Sequence, residues 1–256
     1  MALNDARSKG IVKAWQRELD TGSQSSPRRI RVKGLSRTWK WILRFAKLES
    51  GASVFEVGCG RGQQLLQLCS AGFICHGIDC AVRPIQTLKA TRDRHGLSGL
   101  TAFHGDFTRF TPPMYYDMVF SSGVLEHYID EEDRHAFLSR HVAFCKQNGI
   151  VAIIVPNGAH PLRDKFRKEG LGGYSVPEID YTCATLRDEM ISAGLSNIRI
   201  LPNNLFGYFA PLMQPWAKPL FGLAIYPFSN PAVTRIMPPS YAYRHAYSLV
   251  AVGIKR

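Results

Sequence analysis

Apolar and polar residues alternate along the middle of this chain in two rhythms. Short apolar runs at 53–57, 73–78, 101–104, 118–121 and 150–155 are interleaved with longer segments whose apolar positions recur every three or four residues, at 63–70, 82–95, 131–146 and 182–193. The first rhythm predicts strands and the second predicts helices. Gly72, Gly96, Gly149 and Gly194 fall near the helix ends, where a left-handed residue closes the last turn. Two further runs, 198–201 and 245–254, read as late strands. Strand–helix alternation of this kind predicts an α/β fold with a largely parallel sheet and helices on both faces.

The flanks follow a different pattern. Residues 1–30 read as a polar lead-in, Ser-rich from Thr21 to Ser26 before Pro27. Between 28 and 47 a helix is predicted, with Arg37, Lys40, Arg44 and Lys47 on one side and Trp39, Ile42, Leu43 and Ala46 on another. Residues 202–240 are rich in proline and aromatic residues. The resulting division is 1–49 as a helical lead-in and cap, 50–201 as the core, 202–245 as an insertion, and 246–256 as the final strand of the core sheet.

Composition narrows the class. A chain of 256 residues can bury a substantial core without disulfides. None of its six cysteines forms a Cys-x-x-Cys pair, so buried thiols in a reducing, cytoplasmic compartment are expected and a zinc site is not. The N-terminus lacks the apolar centre of a secretory signal, and no apolar run is long enough to span a bilayer. The net charge of +12 favours anionic partners in general, without choosing among nucleic acid, acidic lipid and a small anionic substrate.

Chemistry enters at Glu56-Val57-Gly58-Cys59-Gly60-Arg61-Gly62, where a strand breaks into a loop with glycine at every second position and a helix follows at once. Glycine permits the tight turn and lets a ligand lie against bare backbone, and the helix N-terminus offers unpaired N–H groups. Asp79 ends the second strand, Gly105-Asp106-Phe107 ends the third, and Ser121-Ser122-Gly123-Val124-Leu125-Glu126-His127 leads out of the fourth. These four motifs, in register over roughly 50–200, together resemble the class I S-adenosylmethionine-dependent methyltransferases, closest to the small-molecule branch that includes the quinone-biosynthesis enzymes.

The resemblance implies a Rossmann-like, seven-stranded sheet whose last strand, near 246–254, is antiparallel and lies between the fifth and sixth. It also implies roles for residues. The loop Gly58-Cys59-Gly60 would pass under the methionine part of S-adenosyl-L-methionine, and Glu56 would place its amino group. Asp79 would hold the ribose, with Cys80 beside the adenine; Asp106 would meet the adenine amine, Phe107 would flank its ring, and Ser122 would line the methionine end. Bland readings stand beside these: a helix cap for Asp79, a turn residue for Asp106, a core aromatic for Phe107.

The transferred methyl is already activated in a sulfonium, so the step needs an in-line nucleophile, exclusion of water and a proton acceptor. The product would be S-adenosyl-L-homocysteine. His127 is the candidate base, its other reading being a residue that only holds its loop, and Glu126 would orient it or cap the next helix. Quinone-branch enzymes that bind a divalent cation here carry an extra glutamate where this chain has Gly123, so no metal is expected.

A small organic or lipid-like acceptor is expected, apolar or anionic, reacting through oxygen, with carbon and nitrogen left open. The lead-in, the 160–174 loop and the 202–240 insertion are candidate lids, the insertion alternatively packing on the sheet or making a homodimer contact. The basic cluster Arg163, Lys165, Arg167 and Lys168 could attract an anionic acceptor. The 28–47 helix permits peripheral membrane contact, though its simpler reading is the helix preceding the first strand. Nucleobase amino groups are disfavoured because no Asn-Pro-Pro-Tyr-like run follows the fourth strand. A nicotinamide-dependent oxidoreductase would want glycine at Gln63; a non-catalytic cofactor-binding module is the remaining alternative.

Overall fold

The computed structural model describes residues 5–21, 30–169, 176–205, 207–208 and 238–256. Most of the aromatic, proline-rich insertion (209–237) and the end of the 160–174 loop lie outside the described residues, and with them the lid and dimer expectations for that insertion.

Seven strands form one sheet: β1 (Ser53–Val57), β2 (Ile74–Asp79), β3 (Leu100–His104), β4 (Tyr116–Ser122), β5 (Cys145–Pro156), β6 (Leu195–Asn203) and β7 (Ser248–Lys255). Their order is β3-β2-β1-β4-β5-β7-β6. Every pairing is parallel except the two made by β7, which runs antiparallel between β5 and β6. Among the described residues the helices are α1 (Asp5–Thr21), α2 (Arg37–Ala46), α3 (Gln63–Ser70), α4 (Val82–Arg94), α5 (Glu131–Phe144), α6 (Arg163–Lys168), α7 (Cys183–Ser192) and α8 (Pro239–His245), with 3-10 turns at Phe107–Arg109 and Leu125–His127.

The apolar runs of the central strands are unbroken because both faces of the sheet are covered. Successive side chains point to opposite faces. Val54 and Met118 pack with Ile42, Leu65 and Leu88 on one side. Phe55 and Val119 pack with Phe137 and Leu186 on the other. α2, α3 and α4 therefore cover one face, and α5 and α7 the second. The predicted parallel sheet with helices on both faces is the observed one.

Two expectations need correction. The polar lead-in contains a 17-residue helix, α1. Its apolar residues Ile11, Val12, Trp15 and Leu19 form one stripe spaced for a helix, masked in the sequence by the charges between them. Next, β5 begins at Cys145 rather than 150, because Cys145 pairs with Tyr116 at the foot of β4. The polar residues that follow are exposed, with Asn148 in a left-handed conformation (φ 61°). α2 has its charges outside and an apolar face inside: Lys40 and Arg44 are exposed, Trp39, Ile42 and Leu43 are buried, and Trp41 is half-buried. All six cysteines are free thiols, and no helix among the described residues is long and apolar enough to cross a membrane.

Candidate functional site

β1 is flanked by β2 on one side and β4 on the other, so the crossovers leave it in opposite directions and open a crevice at the carboxyl ends of these strands. A cavity of about 570 Å³ lies there. Its floor is the glycine loop. Gly58 (φ 68°) and Gly60 (φ 51°) both adopt the left-handed region. A Cβ at Gly58 would stand 2.5 Å from Val124 Cγ2, while at Gly60 it would meet nothing within 4 Å. One glycine thus makes room for the neighbouring wall, and the other leaves its backbone uncovered toward the crevice.

Asp79 locks that loop. Its Oδ2 accepts the Gly60 N–H at 2.7 Å and its Oδ1 accepts the Ala81 N–H at 2.9 Å. Burial pushes its pKa up, against the pull of these two amides. Glu56 sits behind the loop, 2% exposed, with Oε2 lacking a hydrogen-bond partner among the described residues. Burial first, then the nearby Asp79 charge, holds its pKa well above the usual carboxylate range.

Gly58, Gly60, Asp79, Cys80, Asp106, Phe107 and Ser122 all line this cavity; Glu56 and Cys59 do not. Asp106 also caps its own turn, its Oδ1 accepting from the Thr108 amide (2.8 Å) and hydroxyl (2.7 Å). Phe107 is largely a core residue, packed edge-on against Phe137 and Phe144. The turn role of Asp106 and the core role of Phe107 are thus observed, and both residues also belong to the cavity wall.

The lead-in was expected to cap the site, but the helix and the residues that do so were not placed from the sequence. Ile11, Val12, Trp15 and Leu19 of α1 cover the cavity. Gln16 donates to the Cys80 carbonyl at 3.0 Å. Asp20 accepts the Val82 and Arg83 N–H groups (3.2 and 2.9 Å), capping α4 from a distant segment. The signal was the stripe itself, obscured by the polar composition around it. Gln63, where a nicotinamide pattern would have glycine, instead bonds the Arg31 backbone through both ends of its amide.

A second cavity of about 400 Å³ adjoins the first and shares Trp15, Ser122 and Gly123 with it. His127 lines this one. Its Nδ1 donates to the Pro177 carbonyl at 2.8 Å and Trp15 packs edge-on against its ring at 4.8 Å. Burial lowers its pKa, so the imidazole is neutral near pH 7 with Nε2 as the lone-pair nitrogen. Glu126, His127 and Glu178 each bring one ligand-type atom within 4.8 Å of the others. Glu178 lies far along the chain and was not foreseen. At Gly123 the backbone is left-handed (φ 72°), which disfavours a glutamate there.

The arginines of the basic cluster are paired. Arg163 pairs with Glu178 (2.7 Å) and Asp180 (3.1 Å), and Arg167 with Asp164 and Asp180 (3.1 Å each). These two guanidiniums of the cluster already have anionic partners.

Residues 54–149 match the model of a methyltransferase domain. No curated protein matches the chain. Among solved structures, a phosphoethanolamine N-methyltransferase 2 from Haemonchus contortus, in complex with S-adenosyl-L-methionine, is 17% identical with a TM-score of 0.61; the match covers 97% of this chain and 57% of that one. A SAM-dependent methyltransferase from Archaeoglobus fulgidus is 18% identical (TM-score 0.56, 86% of this chain and 95% of that one). The [4+2]-cyclase SpnF is 14% identical (TM-score 0.62, 100% and 99%). At these identities the likeness is one of fold, and SpnF shows that the fold hosts more than one reaction. The match over residues 54–149 and the sheet order together show that the chain has a methyltransferase-type domain and the fold shared by these structures.

Proposed function

We propose that this chain transfers a methyl group from S-adenosyl-L-methionine to an oxygen or nitrogen atom of a small organic acceptor. The observation that carries this reading is the pair of joined cavities. One has uncovered glycine backbone and the Asp79 anchor, and the other has a neutral imidazole. The residues present suit the cofactor. Gly60 exposes bare backbone, Glu56 has an unpartnered carboxyl oxygen beneath the loop, and Cys80 and Phe107 offer soft surface to a flat base.

When bound, the sulfonium supplies the activated methyl. The chain's own residues do the rest. Asp79 and the glycine loop would fix the cofactor's orientation, Trp15 and the α1 stripe would exclude water, and His127 would accept the acceptor's proton at Nε2. The hydrogen bond to Pro177 holds the ring in the tautomer this needs.

Titration calorimetry should show S-adenosyl-L-homocysteine binding, with NAD not binding. His127→Ala should lower kcat by roughly a hundredfold, the usual worth of a positioned base, with cofactor affinity within twofold of the parent. The acid limb of kcat/KM should fall below the ordinary histidine value of about 6.5, following the lowered pKa. Tight NAD binding without binding of the homocysteine product would reject the assignment. An undiminished rate in the alanine variant would reduce His127 to a loop-holding residue.

A further inference from the structure

The second cavity holds a cluster of hydrogen-bond acceptors. His127 spends its Nδ1–H on Pro177, which leaves Nε2 open, 4.0 Å from Glu126 Oε1. Glu126 is 2% exposed and lines the cavity, and its Oε2 has no hydrogen-bond partner among the described residues. Glu178 adds a second carboxylate. Arg163, the one Lys or Arg lining this cavity among the described residues, is already held by Glu178 and Asp180. A buried carboxyl oxygen without a partner is costly unless a ligand brings the missing donor.

Building on the methyltransferase reading above, we propose that the acceptor is an amine, bound through its nitrogen by Glu126, His127 and Glu178. Three acceptor atoms lie within 4.8 Å of one another, and a primary ammonium has three N–H donors. At a charge-assisted N···O distance of roughly 2.8 Å, tetrahedral N–H groups place their partners about 4.6 Å apart, which fits this spread. A hydroxyl has one donor and would leave acceptors unmet. A small divalent metal such as magnesium would hold neighbouring ligands about 3 Å apart, closer than the 4.0 Å between Nε2 and Oε1. A carboxylate or phosphate group would meet like charge. Burial keeps the empty Glu126 carboxyl up at about 8, which an adjacent ammonium would draw down.

The transfer step balances without a further reactant. One ammonium proton passes to His127 Nε2. The freed nitrogen pair forms the new C–N bond as the methyl–sulfur bond breaks, and that bond's electrons stay on sulfur, which becomes a neutral thioether.

The test is calorimetry on the full chain saturated with S-adenosyl-L-homocysteine. Benzylamine, benzyl alcohol and benzoate serve as probes because Trp15 and Trp39 line the cavity. Benzylamine should bind at least tenfold more tightly than the other two. Glu178→Gln and Glu126→Gln should each cut its affinity tenfold or more, with the product's affinity held within twofold. Glu178 is partly exposed, so its variant carries the test should Glu126→Gln not fold. Equal binding of amine and alcohol, or preference for benzoate, overturns the proposal. So does a Mn²⁺ titration that saturates a site abolished by Glu178→Gln. Product binding with no amine binding overturns the amine alone; failure to bind the product at all removes the methyltransferase reading and this one with it.

Discussion

His141 is fully buried in α5, its Nδ1 donating to the Phe137 carbonyl at 2.9 Å and its Nε2 without a partner among the described residues. Burial lowers its pKa to about 4. In the unfolded chain the ordinary value is about 6.5, so below that pH the unfolded state takes up a proton that the folded state refuses. Stability from this residue is whole above about pH 6.5 and is lost as pH falls toward 4, by about 3 kcal/mol at most. Urea midpoints at pH 7 and pH 4.5 should therefore differ less in His141→Phe than in the parent; an equal difference would mean that His141 titrates normally. Legibility at this scale follows from how local the cause is. Gly58, Gly60 and Asp79 could be read from the sequence because strand ends and turns fix them within a few residues. Glu178 could not, since only the tertiary fold brings it to Glu126 and His127. Asp106 and Phe107 were read with two roles each, and the structure shows the local one for each, a turn cap and a core ring, in residues that also line the cavity.

At the scale of elements, α1 is tied to the rest of the molecule by a few identifiable contacts. Its apolar stripe faces the first cavity, with Ile11 against the core and Trp15 against His127, and polar links add Gln16 on Cys80 and Asp20 on the first amides of α4. α4 has no side-chain cap from its own N-cap residue, Ala81. Asp20 supplies that missing capping, so one carboxylate both secures the roof and completes a helix that starts beside Asp79. Removing such a cap costs roughly 0.5–2 kcal/mol. Asp20→Ala should lower the melting temperature by a few degrees, raise amide exchange in 5–21, and weaken product binding several-fold. Faster exchange confined to α4, with α1 unaffected, would show that the cap serves α4 only. The strand–helix core was legible because its periodicity is uninterrupted. The lead-in was legible as a cap but α1 itself was not, because an amphipathic helix whose partner is a cavity shows only a narrow apolar stripe amid charges.

At the scale of the whole molecule, the two ends of the chain do opposite work. β7 lies inside the sheet, pairing β5 from Ile150 to Pro156 on one side and β6 on the other. Val250 and Val252 enter one core and Leu249 and Ala251 the other, all fully buried. Burying a Leu or Val contributes about 1.5–3 kcal/mol, so exposing even the three larger side chains costs about 5–9 kcal/mol, before the lost ladder bonds. That approaches or exceeds the net stability of an ordinary domain, about 5–15 kcal/mol. α1, by contrast, contributes only the partly buried Ile11 to these clusters. Removal of 248–256 should therefore abolish cooperative unfolding, whereas removal of 1–29 should keep a single sharp transition and lose at least tenfold in affinity for S-adenosyl-L-homocysteine. Calorimetric melting and titration of both truncations would check this. If the chain lacking 1–29 bound the product undiminished, the α1 roof would be bystander rather than part of the site; if the chain lacking 248–256 still melted cooperatively, the sheet would not need its antiparallel strand to close.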